Sequence, residues 1–458
     1  MDLDWPDIQG NILHAYKFPR VVHLFATIAD DRVADFKQFL RGLRPLIADA
    51  TKQFDRNGSE PVFNVGFSYQ GLAKLHAPPA APISVAFAAF YQGMKARSQA
   101  LGDLPESREV PWDEWMARDV WISIHGATQG ALEDGIEKLE GEAGGLDFGV
   151  GKALFGEALE DAAQNRFEHF GFRDGIANPA IRGTNFRELR GNGKRVAGGE
   201  WVPIAEGEFI LGHPNERGEN PLSELPPELQ ALFRNGTFAV FRDLEQHVEA
   251  FEAYIARQRA RNPGEDVASK MFGRKPNGDA LAAPGNVMDF HYDDDVGGAR
   301  CPIGSHIRRS NPRKLDMGKH RLIRRGMPYD TRSSKGGRRG MYFVAMNASI
   351  ENQFEFLQKS WINGPTSGPE DAPRLSDARD PIATSGLGPR RMLIEGDGTK
   401  PPILLLDIPQ FVTCRGGQYY FMPGLRALDL LAGAGPEQRT EARGSNGPAV
   451  ARAGGLFS

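Results

Sequence analysis

Residues 21–45, VVHLFATIADDRVADFKQFLRGLRP, hold the pattern that decides the fold. The run over residues 21–28 is rich in β-branched and aromatic side chains, which predicts a buried strand. Val33, Phe36 and Leu40 then recur at helical spacing, and Pro45 ends that pattern. The stretch therefore predicts a strand followed directly by a helix.

The same strand-then-helix pattern recurs along the chain. Further strands are predicted over residues 61–69, 121–126, 237–241, 341–346 and 418–422. Further helices are predicted over residues 83–94, after the N-caps Thr128 and Asp243, along the apolar stripe of residues 350–361, and over residues 425–431. Residues 150–200, rich in Gly, Asn and Arg, are interpreted as a long crossing segment.

Two halves with paired strand-then-helix units predict an α+β fold of duplicated ferredoxin-like halves, in which antiparallel sheets carry peripheral helices. The expected N-terminal half covers residues 8–190, and the expected C-terminal half covers residues 200–432. Residues 433–458 are expected to form a flexible tail. The pattern alone leaves other α+β arrangements open.

Composition excludes several classes of protein. The chain has 458 residues, a net charge of −4 and a pI near 6.2, so no nucleic-acid partner is expected. Its two cysteines, Cys301 and Cys414, form no CxxC motif, which argues against a zinc site or a disulfide framework. No secretion signal or long apolar run is visible, so we expect a cytoplasmic protein without a membrane partner. A homo-oligomer is compatible with the sequence.

His306 is the first candidate site residue, within CPIGSHIRRSNPR at residues 301–313. A neutral imidazole is a good axial ligand for haem iron, and its other nitrogen then needs a hydrogen-bond acceptor. Arg308 and its basic neighbours could neutralise haem propionates. The alternative, a histidine without a special role, is the commoner case for a single histidine.

Asp174 and the arginine pair Arg324 and Arg325 are further candidates. An aspartate beside a haem can move a proton between peroxide oxygens, and a fixed arginine can stabilise the anionic oxygen. The alternatives are an Asx-type turn for Asp174 and a solvated basic face for the arginines.

Aromatic residues raise a separate question of electron transfer. Trp361, Tyr419 and Tyr420 could relay electrons from bulky donors at the surface, but the interpretation as core aromatics is the simpler one.

FGFRDGIANP at residues 170–179 resembles the GxxDG motif of the dye-decolorizing (DyP-type) haem peroxidases. Eight further blocks, in order along residues 8–424, are similar to that family: IQGNIL, NVGFSYQGLAKL, GEFILGHPNE, SKMFGRKPNGDAL, CPIGSHIRRSNPR, IRRGMPYD, SIENQFEFLQKSW and RGGQYYFMPG. The resemblance implies a fold of two ferredoxin-like halves that enclose haem b.

The resemblance also implies roles for single residues. His306 matches the proximal haem ligand, Asp174 the distal acid–base residue and Arg324 the distal arginine. Asp380, in a DPI segment, matches the carboxylate that accepts a hydrogen bond from the proximal histidine. Arg308, two residues after the histidine, is the expected propionate contact.

The implied function is reduction of hydrogen peroxide through a ferryl intermediate, with oxidation of dyes, phenols or other one-electron donors. An aspartate is a weaker base than a histidine, which predicts the fastest dye oxidation at acidic pH. Asp330 and Gly326 depart from the family pattern, so the distal site is expected to depend on Asp174 and Arg324.

Two alternatives of other classes stay open. A haem-binding or haem-handling protein with incidental peroxidase activity would keep His306 but would not need Asp174 or Arg324. A ferredoxin-like binding module would bind no haem at all.

Overall fold

A single antiparallel sheet organises the molecule in the computed structural model, which describes residues 3–103, 118–143, 153–184, 190–313, 318–334, 336–364, 379–385 and 390–433. In chain order the strands are β1 Arg20–Ala26, β2 Val62–Phe67, β3 Val120–Gly126, β4 Leu154–Glu157, β5 Leu159–Glu160, β6 Arg166–Phe167, β7 Lys194–Arg195, β8 Trp201–Val202, β9 Thr237–Gln246, β10 Ile323–Arg324, β11 Met327–Asp330, β12 Arg339–Asn347, β13 Met392–Ile394, β14 Ile403–Leu405 and β15 Val412–Met422.

Helices cover the outer face of this sheet and its ends. The α-helices are α1 Gly10–Leu13, α2 Val33–Leu43, α3 Tyr69–His76, α4 Ala80–Ala86, α5 Ala88–Arg97, α6 Gln129–Ala143, α7 Pro227–Phe233, α8 Val248–Arg261, α9 Val267–Phe272, α10 His306–Ser310 and α11 Leu425–Leu431. A π-helical segment follows β12 in two parts, Glu351–Glu355 and Leu357–Ile362. Within the described residues, no helix is both long enough and apolar enough to cross a bilayer.

Strand order shows a duplication. The main sheet has nine strands in the order β10-β12-β9-β15-β2-β3-β1-β4, with β11 also paired to β12. In the N-terminal half the spatial order is β4-β1-β3-β2, so β1 lies between β3 and β4. In the C-terminal half β9 likewise lies between β12 and β15, and both β10 and β11 pair with β12. The prediction of duplicated ferredoxin-like halves is therefore confirmed.

The two halves join and then curl towards each other. Phe421 of β15 pairs with Phe67 of β2, which makes one continuous sheet. At the far edges β4 contacts β11, where Gly156 packs so closely on Met327 that an added Cβ would lie 2.8 Å from Met327 Cγ. The inside of the curl is filled by buried aromatic side chains, namely Phe25, Trp121, Phe241, Tyr342 and Tyr420.

Predicted helix α2 forms as its apolar spacing requires. Its inward residues Phe36, Phe39, Leu40 and Leu43 are buried in the core on the outer face of the sheet. Burial of each such side chain contributes about 1.5–3 kcal/mol relative to exposure. Thr128 also caps α6 as predicted, since its Oγ1 accepts from Ala131 N–H at 3.1 Å.

One predicted cap is wrong. Asp243 does not begin a helix but lies within β9, which continues to Gln246 because β12 and β15 both pair with it along that length. The buried carboxylate of Asp243 accepts from Tyr329 Oη–H and from Arg338 Nη2, each at 2.6 Å. Sheet pairing has thus overridden the local capping preference.

Two other predictions are partly wrong. The helix expected over residues 83–94 is two helices, α4 and α5, and Gly93 inside α5 has a φ of 74°. The crossing segment is not wholly irregular, because β4 joins the main sheet beside β1. The predicted tail, residues 433–458, lies outside the described residues from residue 434 onward.

We predict that Gly156→Val lowers the free energy of unfolding by about 1–3 kcal/mol, because the new side chain overlaps Met327 and Val21. Valine is favoured in β-strands, so the expected loss of stability comes from the steric overlap and not from strand propensity. Gly141→Ala in α6 is the matched control, since its Cβ meets nothing within 4 Å, and it should be neutral or stabilising. Urea denaturation measures both. Equal stability of the valine variant and the parent would contradict the close approach of β4 and β11.

Candidate active site

A cavity of about 1820 Å³, a volume that includes open solvent at its mouth, lies in the C-terminal half. Strands β9 and β12 form one wall, and α9, α10 and the π-helical segment form others. Residues 168–177 of the crossing segment close one side. The lining mixes aromatic and aliphatic side chains with several arginines, so the cavity suits a large apolar ligand that carries anionic groups.

His306 stands at the first position of α10 and lines this cavity. A turn after Cys301 sets the start of the helix, because Ser305 N–H donates to Pro302 O at 3.0 Å. The His306 side chain is 30% exposed. Its Nδ1 lies 2.8 Å from Asp380 Oδ2. The helix start and one carboxylate therefore orient the ring.

Asp380 is fully buried, with 0% of its surface exposed. Its second oxygen accepts from the backbone N–H groups of Ile382 at 2.9 Å and Ala383 at 2.7 Å. Burial by itself would raise the pKa of Asp380, but the charge and hydrogen bond of His306 and the Ala383 N–H hold that pKa below its ordinary value. Burial likewise would lower the pKa of His306, and Asp380 raises it. The carboxylate therefore favours positive charge on or beside the imidazole ring.

The second nitrogen of His306, Nε2, has no hydrogen-bond partner among the described residues. With Nδ1 held by a carboxylate, Nε2 is the basic atom that a metal would take. An imidazole whose other nitrogen is bonded to a carboxylate is a strong ligand for haem iron. The donor set thus fits a haem in this cavity.

Arg324 and Asp174 meet at the same cavity. Arg324 Nη1 donates to Asp174 Oδ1 at 3.1 Å, and both side chains are about one-third exposed. Arg324 lies on β10 opposite Ala345 of β12, and its backbone N–H donates to Asn178 Oδ1 at 2.9 Å. The sheet and the crossing segment together hold the guanidinium beside the carboxylate.

Two glycines with left-handed backbone flank Asp174. Gly171 has a φ of 89° and Gly175 a φ of 72°, which side chains with a Cβ rarely adopt. Between them, Asp174 N–H donates to Arg166 O at 2.8 Å. The GxxDG pattern therefore encodes a turn, as the Asx-turn alternative also required, and that turn presents Asp174 to the cavity.

Arg325 points elsewhere than Arg324. Its guanidinium donates to the carbonyls of Asn11 at 2.7 Å and Ile12 at 3.2 Å, and it lines a second cavity. Of the two arginines, only Arg324 is among the described residues that line the first cavity. Asp174 and Arg324 line both cavities.

Arg308 is not among the described residues that line the first cavity. Its Nη1 donates to the carbonyls of Asp295 at 2.9 Å and Cys301 at 2.8 Å, and its guanidinium lies 4.5 Å from the ring centre of Tyr292. The structure engages Arg308 with protein groups behind α10, and does not support the predicted propionate contact.

Arg313 and Arg321 also line the cavity. Arg313 is one of the basic neighbours of Arg308 that the sequence offered as propionate contacts, whereas Arg321 was not singled out. Arg313 and Arg321 are buried, and within the described residues they donate only to backbone carbonyls, with no carboxylate in an ion pair. Burial lowers the pKa of Arg313 to about 10 and that of Arg321 to about 9. Buried cations need a counter-charge, so this wall fits the propionates of a haem. Arg321 lies two residues before the IRRGMPYD block that holds Arg324, and this position was the available signal.

The proposed electron relays are core residues by position. Trp361 is 3% exposed and packs edge-on against His320 and Phe356. Tyr419 and Tyr420 are fully buried, and Tyr419 Oη–H donates to Glu355 at 3.0 Å. The simpler interpretation as core aromatics agrees with this burial, and a relay role stays a prediction.

Comparison with known proteins agrees with this fold and cavity. The family model of the DyP dimeric alpha+beta barrel domain matches residues 7–145, and that of the Dyp-type peroxidase C-terminal domain matches residues 207–377. Together the two models match more than half of the chain, and they define a haem peroxidase. The chain belongs to the DyP-type peroxidase family, and it is an enzyme of that class.

Relatives match over nearly the whole length. A multifunctional dye peroxidase from Amycolatopsis sp. is 29% identical over 93% of this chain and 95% of its own. A dye-decolorizing peroxidase from Exidia glandulosa is 28% identical over 93% of this chain and 86% of its own. The solved structure of an ancestral D-type dye decolorizing peroxidase superimposes with a TM-score of 0.78 at 26% identity, over 94% of this chain and 99% of that one.

We predict that Asp380→Asn lowers the affinity for haem by about 10–100-fold. The asparagine amide has one oxygen, so it cannot accept from both His306 and the N–H groups of Ile382 and Ala383. The substitution also removes the negative charge that makes the His306 imidazole a stronger metal ligand. Titration of the haem-free protein with haem, followed by absorbance, measures the affinity. The exposed Asp31→Asn is the matched control. An unchanged affinity in the Asp380 variant would refute the supporting role of this carboxylate.

Proposed function

We propose that the protein is a haem b peroxidase that reduces hydrogen peroxide with electrons from dyes, phenols or other small one-electron donors. One observation carries the proposal: His306, whose ring is held by the buried Asp380, lines the same cavity as the Asp174–Arg324 pair. The first pair is suited to hold iron, and the second is suited to move a proton and to stabilise an anion. Membership of the family and the cationic wall of the cavity support it.

In this proposal Nε2 of His306 would hold the iron, while Asp380 fixes the ring and increases its electron donation. Arg313 and Arg321 neutralise the propionates. The chain divides into an N-terminal half at residues 8–190 and a C-terminal half at residues 200–432, with the cofactor held by the second. When bound, a haem would supply the two-electron reduction of peroxide and the one-electron oxidation of donors.

Asp174 is the acid–base residue that transfers a proton between the two peroxide oxygens. Its carboxylate is placed to take the proton from the peroxide oxygen nearer the iron and to deliver it to the far oxygen. The far oxygen then departs as water. Arg324 lies 3.1 Å from Asp174 and can stabilise the negative charge that develops on the leaving oxygen. The Asp174–Arg324 contact also keeps the carboxylate aimed at the cavity before peroxide arrives.

We predict that Asp174→Asn lowers the second-order rate constant for peroxide by about 10²–10⁴-fold, since proton transfer is lost. Arg324→Leu should lower it by about 10²–10³-fold, since charge stabilisation is lost. Rapid mixing of the ferric protein with peroxide, followed by haem absorbance, measures the rate constant. Arg332→Leu is the matched control, because Arg332 is half-exposed and paired with Asp330 away from the first cavity.

The same experiment separates the alternative functions. A haem-handling protein has no need of Asp174 or Arg324, so unchanged rate constants in both variants would favour it over the enzyme. In either case His306→Ala should abolish the haem absorbance band. A protein that shows no such band after expression with adequate haem would favour the binding module.

A further inference from the structure

The π-helical segment ends beside both members of the His306–Asp380 pair. At this end Asn363 N–H donates to Gln358 O at 3.0 Å, and the carbonyl groups of the final turn lie beyond the last helical donor. Residues 361–364 form a platform here, because groups from outside the helix bind its free carbonyls and its one amide side chain.

Arg309, one turn after His306 on α10, joins that helix to the platform. Its Nε donates to Trp361 O at 2.7 Å, and its Nη2 donates to Gly364 O at 2.6 Å. The residue is only 1% exposed, so water does not compete for these bonds. Glycine is required at position 364, since a Cβ there would overlap Ser360 O. The helix that carries His306 is therefore fixed to two carbonyls of the platform.

The turn that carries Asp380 is bound to the platform at both ends. At its start, Asp380 N–H donates to Ile362 O at 3.0 Å. At its end, Asn363 Oδ1 accepts from Thr384 Oγ1–H at 2.9 Å and from Ser385 N–H at 3.0 Å. Both donor residues are buried, so loss of the Asn363 oxygen would leave their polar groups unpaired.

The backbone partners of Asn363 fix the orientation of its amide group. Ser385 N–H can only donate, so the atom that faces it is the oxygen. Leu101 O can only accept, and Asn363 Nδ2 lies 2.8 Å from it. The opposite assignment of nitrogen and oxygen would lose both bonds. The bond to Leu101 also anchors the platform to the segment that follows α5.

We propose that Asn363 is a positioning residue for His306. It holds the Asp380 turn on the platform that also fixes α10, and this common support sets the 2.8 Å contact between Asp380 and His306. The proposal rests on the proposed role of His306 as the iron ligand. A carboxylate partner makes an imidazole a stronger ligand, so a turn that moves away from the platform would weaken the electron donation of the ring.

Asn363→Ala removes the acceptor of both donors at the end of the turn. Amide hydrogen exchange in the haem-free protein should show that protection of residues 380–385 falls about tenfold or more, because buried hydrogen bonds are lost. Asn215→Ala is the matched control, since its Oδ1 accepts from Arg217 N–H and Glu219 N–H outside the first cavity, and it should leave that protection unchanged. Unchanged protection in the Asn363 variant would overturn the proposal.

The iron–histidine stretching frequency of the ferrous haem complex, measured by resonance Raman spectroscopy, tests the positioning role. A hydrogen bond from the ring to a carboxylate makes the imidazole more electron-rich and raises this frequency. The frequency should fall in Asn363→Ala, towards its value in Asp380→Asn, and should keep the parent value in Asn215→Ala. Reduced exchange protection with an unchanged frequency would reveal a structural role only, and would overturn the positioning role.

Thr384→Val is a milder variant, for the case in which the alanine variant does not fold. Valine has nearly the same shape and removes one donor to Asn363 Oδ1, so protection and frequency should fall by less than in Asn363→Ala. Thr384→Ser keeps the hydroxyl group and should keep the parent frequency. Equal frequencies in the valine and serine variants would overturn the proposal.

Two comparisons separate this proposal from the proposed function. An iron–histidine band that persists in His306→Ala would overturn the assigned ligand, and the proposal with it. A frequency that falls in Asp380→Asn but not in Asn363→Ala would overturn the role of Asn363 alone. Neither the exchange nor the Raman measurement uses peroxide, so both stay interpretable if the assigned roles of Asp174 and Arg324 fail.

Discussion

The pairing of β15 with both β9 and β2 is the constraint on which the rest of the structure depends. Each half by itself is an open sheet with an unpaired edge, and such edges are prone to pair with other chains. β15 comes last in the chain, yet it lies in the middle of the sheet. The two halves are therefore joined into one sheet by the last strand of the chain. The opposite edges, β4 and β11, then approach closely enough to require Gly156.

That architecture explains where the cavity lies. The inside of the curled sheet is packed with aromatic rings, and the first cavity lies against the opposite face of β9 and β12. There α9, α10 and the π-helical segment are separated from β9 and β12 by the cavity. The crossing segment, tied to Arg324 through Asn178 and Asp174, closes this space. The candidate site therefore draws its residues from the crossing segment and from the C-terminal half.

The buried charged groups around the cavity each favour an opposite charge beside them. Asp380 is buried with every oxygen hydrogen-bonded, and it favours positive charge at His306. Arg313 and Arg321 are buried with only carbonyl partners among the described residues, and they favour negative charge in the cavity. A metal with anionic substituents satisfies both at once. Glu168 lines the same cavity, and burial raises its pKa to about 7.

The sequence by itself determined the strand and helix pattern of both halves, because apolar periodicity reports which faces are buried. The resemblance of motifs also singled out His306, Asp174, Arg324 and Asp380. Local pattern failed at Asp243, where sheet pairing outweighed a capping preference. It also failed for Arg308, whose spacing from His306 did not reveal that its guanidinium turns away from the cavity. Only the tertiary structure decided the place of Asp243 within a strand and the direction of the Arg308 side chain, because both depend on partners distant in sequence. The contact of Glu168 with Gln246, 78 residues apart, is of the same kind.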